Sequence, residues 1–199
     1  YSIEAALNSG LFDDVMVSTD DKEIADIALK YGASVPFMRS KKTSNDFATT
    51  FEVIEEVLLS FKALNIIFDY ACCIYACAPF TSEKNLKLSY DILIDRKFDS
   101  VLPIIPFGFP IQRALKQNDL KINFFYEEYS LIRSQDLEES FHDAGQFFWI
   151  NTSVCLNKKS VITDNSGSII LSELDGQDID NEIDWKIAEL KYEFIQSIK

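Results

Sequence analysis

The sequence has few of the residues from which common catalytic and metal sites are built. It has a single histidine, His142, so a metal site with two histidines is excluded and any Ser/His triad would have to use this residue. It has six glycines, and none forms a glycine-rich phosphate loop. Three of its four cysteines crowd into residues 71–77, a spacing that suits a buried apolar strand better than a zinc site. We therefore expect reduced thiols in a cytoplasmic protein.

Basic residues are also scarce. There are 19 lysines and arginines against 32 acidic residues, which gives a formal net charge of −13. Nucleic-acid binding requires clustered positive charge, so this balance disfavours nucleic acid and anionic membrane surfaces as partners. No apolar run reaches the length of a membrane-spanning helix.

The residues that are abundant predict one folded domain over residues 1–199. Hydrophobic residues make up 47% of the chain, including 16 phenylalanines and eight tyrosines, which is enough to build a sizeable core. Apolar strand patterns alternate with helical patterns, which predicts an α/β fold with a mostly parallel sheet flanked by helices. A β-rich insertion is expected at about residues 107–145, followed by a second apolar strand over residues 146–155. The first predicted strands cover residues 15–18, 69–76 and 100–105, and the helices between them cover 22–31, 48–64 and 81–96.

Two acidic residues stand out near the end of the chain. Asp178 and Asp180 are two residues apart, so their carboxylates share one face if the chain is extended there. A helix follows whose apolar residues recur at helical spacing: Ile183, Ile187, Leu190 and Phe194. Paired carboxylates can hold a magnesium ion together with substrate phosphates. The alternative, which spacing alone favours, is that Asp180 or Asn181 caps the helix while Asp178 is merely solvated.

The beginning of the chain departs from the usual α/β pattern. Such domains usually start with a strand that leads into a glycine-rich turn and a helix, whereas this chain starts inside a predicted helix. We therefore expect that a strand and a phosphate-binding loop precede Tyr1.

Several segments together resemble the cytidylyltransferases that activate nine-carbon sugar acids, the CMP-sialic acid synthetase family. They are residues 17–25 (VSTDDKEIA), 31–39 (YGASVPFMR) and 177–180 (QDID), with Asp184-Trp185. Residues 75–80 (YACAPF) and 141–147 (FHDAGQF) resemble the pseudaminic acid branch. The resemblance runs nearly end to end in the same order.

The resemblance implies a Rossmann-like nucleotidyltransferase fold and the transfer of CMP from CTP to a nonulosonic acid, with release of pyrophosphate. It implies that Asp178 and Asp180 are catalytic and hold Mg²⁺. It also implies a homodimer whose contact lies at about residues 116–143. Two alternatives stay open: a sialic or legionaminic acid as the sugar, and an α/β binding module without turnover. Because the family's basic loop is absent from the sequence, we expect weak or no activity from this chain by itself.

The resemblance also assigns binding residues. Arg39, Ala48 and Thr50 match nucleotide-binding positions, and the positions expected to meet the sugar are Tyr75, Arg133, Gln135, His142, Gln146 and Phe147. Arg133 suits capture of the sugar carboxylate, but a solvent ion pair with Glu127, Glu128 or Asp136 is an equal alternative. Aromatic residues on a strand such as Phe147 are more often core, and the alternative role for His142 is to shape its turn.

Overall fold

The computed structural model describes residues 1–197, in which a five-stranded sheet is covered by helices. The helices are α1 (Ser2–Ser9), α2 (Lys22–Lys30), α3 (Thr50–Ala63), α4 (Glu83–Arg96), α5 (Thr152–Lys158) and α6 (Glu182–Ser197). The strands of the main sheet are β1 (Tyr70–Ile74), β2 (Ser100–Pro106), β5 (Phe141–Asp143), β6 (Phe147–Asn151) and β7 (Ser166–Ile170). A separate hairpin consists of β3 (Leu115–Asn118) and β4 (Lys121–Phe124).

The pairing of the strands corrects the predicted mostly parallel sheet. Only β2 and β7 pair in parallel among the main-sheet strands described, whereas β6 is antiparallel to both β1 and β2, and β5 is antiparallel to β2. The strands β1 and β2, which α4 connects, still point the same way, because each is antiparallel to β6. What the local patterns could not reveal is that β6, from much later in the chain, inserts between them.

Helices cover the sheet on both faces because the strands alternate their side chains between two apolar layers. On one face Phe147 and Trp149 of β6 pack with Leu86 and Leu93 of α4. On the other face Ile150 packs with residues of α3 and α5. The Trp149 indole is stacked on Phe12 and donates its Nε1–H to the Leu86 carbonyl at 3.1 Å, so this large ring is both packed and hydrogen-bonded.

Several predicted element boundaries move. The predicted strand over residues 15–18 is reduced to one parallel bridge between Met16 and Ser34. The strand predicted over residues 146–155 ends at Asn151, whose side chain accepts from the Val154 N–H and so caps α5. The insertion after β2 contains the β3–β4 hairpin and short 3₁₀ turns, with exposed apolar residues such as Leu120.

The final helix forms as predicted, but its row of regularly spaced apolar residues does not face the core. Ile183, Leu190 and Phe194 are all more than half exposed, and the one buried residue of the described helix is Ala188. The small side chain of Ala188 allows the helix to approach the rest of the protein closely. The helix therefore packs through the face of Ala188 and not through the face that carries the large apolar residues. None of the helices described in residues 1–197 is long and apolar enough to cross a membrane.

Candidate active site

A cleft of about 430 Å³ lies at the carboxyl end of β2. The end of β2, the β5 segment and the chain that follows β7 enclose it. Its lining residues are Ile105, Pro106, Gly108, His142, Asp143, Ala144, Glu173, Gly176, Gln177, Asp178 and Lys191. In open α/β sheets ligands bind outside the carboxyl ends of the parallel strands, and this cleft has that position.

An irregularity between β5 and β6 positions Asp143 in the cleft. Both strands pair with β2, but their registers differ, and the chain between them turns through Gly145 at a φ of +65°. The Asp143 carboxylate accepts the Gly145 N–H at 2.8 Å, and an added Cβ at Gly145 would lie 3.4 Å from the Asp178 carboxyl group. Glycine is therefore suited to this position both by its backbone conformation and by the close approach of Asp178.

The surroundings of the Asp143 carboxyl disfavour its ionised form. Loss of hydration raises the pKa of the Asp143 carboxyl above its ordinary value, and the Asp178 charge raises it further. The hydrogen bond from Gly145 opposes the rise. Asp143 therefore carries an unfavourable charge that a bound cation or hydrogen-bond donor would relieve.

Tyr75 lies directly after β1 and belongs to the same group. Its ring packs edge-on against Phe148, with 5.2 Å between ring centroids. Burial raises the pKa of the Tyr75 hydroxyl to about 12, and the charges of Asp143 and Asp178 contribute to the rise. The nearby Thr50 hydroxyl opposes it. The structure therefore brings predicted residues from α3, the end of β1 and the acidic segment into one neighbourhood.

The segment that carries Asp178 is held from two sides. The buried Gln146 side chain donates its amide N–H to the Asp175 carbonyl, and the Lys191 ammonium of α6 donates to the Gly176 carbonyl at 2.8 Å. Gly176 lies so close to Ile105 that an added Cβ would be 2.6 Å from its Cδ1 atom. The side-chain bonds are made to the carbonyls of Asp175 and Gly176, just before Asp178, and residues 177–180 form no strand.

The same region resolves the question of the helix cap. The Asn181 side chain accepts from the Ile183 and Asp184 N–H groups, and the Asp184 carboxylate accepts from the Asn181 N–H at 3.1 Å. This is a reciprocal capping box, so the alternative in which Asp180 is the cap is wrong and the one with Asn181 is right. The Asp180 side chain stays exposed, and it lines a separate open depression with Ile179 and Trp185, beside the cleft that Asp178 lines.

Arg39 is held in place by the strand-like segment before α2. Its backbone N–H donates to the Thr19 carbonyl at 2.8 Å, and its guanidinium donates to the Ser18 hydroxyl at 3.0 Å and to the Ser18 carbonyl. Burial raises the pKa of the Cys73 thiol in β1 to about 11, and the Arg39 charge opposes that rise.

The loop after Arg39 is tied to α3 by Glu56. The Glu56 carboxylate accepts from the Ser40 N–H and hydroxyl, each at 2.7 Å, and from the Thr43 hydroxyl. The Thr43 and Ser40 hydrogen bonds lower the pKa of Glu56. The loop leads through Ala48, which is half-buried, to Thr50 at the first turn of α3. The predicted nucleotide-binding residues therefore lie along a loop, and at the start of α3, that the hydrogen bonds of Glu56 hold together.

Four of the six predicted sugar residues form two groups. Tyr75 and His142 lie near the cleft, where the His142 ring packs against Phe107 and its Nδ1 is 2.8 Å from the Asp143 carbonyl. Arg133 and Gln135 lie exposed in the insertion, and the Arg133 guanidinium pairs with both Asp136 oxygens, at 2.8 and 3.2 Å. The ion-pair alternative for Arg133 is thus the one present here.

The two remaining predicted sugar residues are in the core. Phe147 is 0% exposed and Gln146 is 1% exposed, so neither side chain reaches the surface in this structure. Phe147 packs in the layer around Leu86 and Trp149, because the alternation of β6 directs it inward. Gln146 instead acts on the cleft indirectly, through its bond to Asp175.

Asp143 and Lys191 are cleft residues that sequence reasoning did not select. Asp143 lies inside the 141–147 motif, and an acid just before an Ala-Gly turn was the available signal. Lys191 lies three residues after the buried Ala188, hence on the same helix face, but the apolar pattern of α6 pointed elsewhere.

The donor set suits a small hard cation. Asp143 and Asp178 bring carboxylate oxygens to the two sides of Gly145, and carboxylates are ligands that Mg²⁺ prefers. Within the described residues no group of three or more His, Cys, Asp or Glu side chains is arranged to hold a metal. A cation here would therefore draw on two carboxylates and on substrate oxygens, which is a common arrangement for Mg²⁺.

The family model for cytidylyltransferases matches residues 1–159 of the chain. The chain belongs to the cytidylyltransferase family. Two pseudaminic acid cytidylyltransferases from Campylobacter jejuni strains are 37% and 36% identical to it, each over 193 residues that cover 96% of this chain and 83% of the relative. This confirms the resemblance to the pseudaminic acid branch that the 75–80 and 141–147 segments indicated.

A solved structure supports the fold of this cytidylyltransferase. The structure of CMP:2-keto-3-deoxy-manno-octonic acid synthetase complexed with CTP matches with a TM-score of 0.64, and the match covers 98% of this chain and 88% of that one. The sequence identity is 11%, so this likeness concerns the fold alone. The predicted Rossmann-like nucleotidyltransferase fold, with a sheet flanked by helices, is confirmed.

Proposed function

We propose that this cytidylyltransferase transfers CMP from CTP to the anomeric hydroxyl of pseudaminic acid and releases pyrophosphate, for surface glycan or flagellin glycosylation. The observation that carries the proposal is the similarity to two pseudaminic acid cytidylyltransferases over 96% of the chain. In the reaction, a bond forms between the sugar hydroxyl oxygen and the α-phosphorus. The bond from the α-phosphorus to the oxygen shared with the β-phosphate breaks, and the hydroxyl proton passes to solvent.

In this proposal Asp178 and Asp180 hold Mg²⁺, and Asp143 is a further carboxylate beside Asp178. A bound Mg²⁺ supplies charge neutralisation at the phosphates and favours ionisation of the attacking hydroxyl. The chain itself fixes the position of Asp178, through Gln146 and Lys191, and keeps Asp180 free by using Asn181 as the helix cap. Its contribution is positioning, which is the main requirement of this class of reaction.

Arg39 and Thr50 are proposed to bind the nucleotide, with Ala48 packing near the base. The guanidinium offers donors that suit the cytosine carbonyl and ring nitrogen. Its bonds to Ser18 limit the conformations available before CTP arrives, which lowers the entropy cost of binding. Tyr75, Arg133, Gln135 and His142 are the proposed sugar contacts. Gln146 instead positions the Asp178 segment through its bond to Asp175, and Phe147 packs in the core.

A cytoplasmic homodimer is part of the proposal. All four cysteines are free thiols, which agrees with a reducing compartment. The insertion exposes apolar side chains, among them Leu120, Ile122 and Phe125, which would gain from burial against a second copy. Size-exclusion chromatography with light scattering tests the dimer, and Ile122→Asp should yield monomer if the hairpin is the contact.

The assay that tests the function uses the intact protein with CTP, Mg²⁺ and, in separate reactions, pseudaminic, sialic and legionaminic acid. Pyrophosphate release and formation of the CMP-sugar are both measured. We expect turnover with pseudaminic acid to exceed turnover with the other two. A preference for sialic or legionaminic acid would identify the other sugar class, and CTP binding without turnover would identify a binding module.

A further inference from the structure

The charges of the cleft conflict with the charges of the proposed substrates. Among the residues that line it, Asp143, Glu173 and Asp178 are acidic, and Lys191 is the one lysine or arginine. A nonulosonic acid brings a carboxylate, and CTP brings phosphates. Like charges repel, so an anionic ligand in this cleft needs a positively charged group beside it, in addition to any Mg²⁺ that the carboxylates hold.

Lys191 has the placement of such a cation. Its Nζ donates to the Gly176 carbonyl at 2.8 Å, which fixes the ammonium at the wall of the cleft, and within residues 1–197 its other two N–H groups have no hydrogen-bond partner. In the part of the chain that the structure describes, none of the ion pairs includes Lys191, although Glu173 lies near enough to influence it. Desolvation lowers the pKa of the Lys191 ammonium, as expected for a half-buried cation without a close partner.

We propose that Lys191 is the anion-binding residue of this cleft and contacts either the carboxylate of the sugar acid or a phosphate of CTP. The proposal rests on the proposed function for the identity of the anion. An ammonium held at one point by a backbone carbonyl is preorganised, so little side-chain entropy is lost when an anion arrives. Lys191 would then be a substrate-contacting residue within α6, whereas the sequence patterns placed site residues only before this helix.

The experiment measures dissociation constants by calorimetry for CTP, for pseudaminic acid and for uncharged cytidine. The proteins are the wild type, Lys191→Gln and Lys191→Arg, with Lys186→Gln as the matched control, because Lys186 is an exposed lysine on the same helix that does not line the cleft. Lys191→Gln keeps an N–H donor for the Gly176 carbonyl and removes the charge.

We expect Lys191→Gln to weaken binding of one anionic ligand by roughly tenfold or more, the effect of losing a charge-assisted hydrogen bond. Lys191→Arg should recover part of the affinity, and cytidine binding should be unchanged in every variant. The ligand that weakens identifies whether the anion is the carboxylate or a phosphate.

Equal affinities of wild type and Lys191→Gln for both anions would overturn the proposal, as would wild-type protein that binds neither. A parallel loss of cytidine affinity would also overturn it, because the effect would then come from a displaced Asp178 segment. None of these outcomes depends on turnover, so failure of the proposed CMP transfer is a separate result.

Discussion

Aspartates lie near both ends of β2, but they differ in how many hydrogen bonds the protein donates to them. At the amino end, just before the strand, Asp99 accepts hydrogen bonds from Lys158, Thr163 and Asn165, at 3.1, 2.8 and 3.1 Å. The Thr163 hydroxyl is the main reason that the pKa of Asp99 is lowered, and Lys158 and Asn165 add to it. This cluster connects the start of β2 to α5 and to the loop before β7.

At the carboxyl end the carboxylates have less support. Asp143 receives one N–H from Gly145, and its pKa is raised because burial and the Asp178 charge disfavour ionisation. Asp99 accepts three hydrogen bonds from within the protein, whereas the carboxylates of Asp143 and Asp178 can still accept hydrogen bonds from a ligand. The difference separates a polar cluster that stabilises the fold from one suited to binding a ligand.

The largest effect should come from the carboxyl end. Asp178→Asn and Asp180→Ala should each reduce CMP transfer at least about 100-fold without loss of folding, since even outer partners of a metal site are worth 10–100-fold. The measurements are pyrophosphate release and Mn²⁺ affinity, the latter by electron paramagnetic resonance in the presence of CTP.

Asp143→Asn serves as the comparison for that result. If Asp180→Ala keeps its Mn²⁺ affinity while Asp143→Asn loses it, the second ligand is the carboxylate that shares the cleft with Asp178, and the assignment of Asp180 fails.

Substitutions at the amino end of β2 should lower the stability of the fold and leave CMP transfer unchanged. Asp99→Ala leaves Thr163 and Asn165 without their acceptor and should lower the free energy of unfolding by about 1–3 kcal/mol. Urea denaturation measures the change. Asp164→Ala is the control, because Asp164 also binds Lys158 but is 90% exposed, and its removal should have little effect. An equal loss in both variants would contradict the idea of a stabilising cluster around Asp99.

The smallest effects should appear in the pH dependence of stability. A lowered pKa means that the Asp99 carboxylate stabilises the fold above its unfolded pKa, near 3.9, and that this contribution is lost as the pH falls through the folded value. Asp143 has a raised pKa, so its ionised form costs stability above the folded pKa, and the cost disappears on acidification.

Asp143→Asn should therefore raise the melting temperature slightly at pH 7 and leave it unchanged at low pH. It should also reduce the pKa of Tyr75 below about 12, since Asp143 contributes to that value. Melting curves and tyrosine absorbance titration, with Tyr75→Phe to identify the signal, measure both. A lower melting temperature at pH 7 would show that Asp143 stabilises the fold as Asp99 does.

Local sequence patterns were sufficient for most helices and for the central strands. Capping residues lie within a few residues of the helix that they begin: the Ser82 side chain caps α4 and the Asp21 side chain caps α2. The same reasoning could not choose between Asp180 and Asn181, because both are good caps. The choice was made by Asp184, whose carboxylate bonds back to the N–H groups of both residues.

The sequence by itself determined the family, through ordered motifs, and the alternation of helices and strands, through hydrophobic period and caps. The tertiary structure decided that β6 inserts between β1 and β2, that Phe147 and Gln146 are buried, and that Asp143 and Lys191 join Asp178 in one cleft. The physical reason is range: caps and periodicity act within a few residues, whereas Asp143, Asp178 and Lys191 meet only after strand pairing has brought distant segments together.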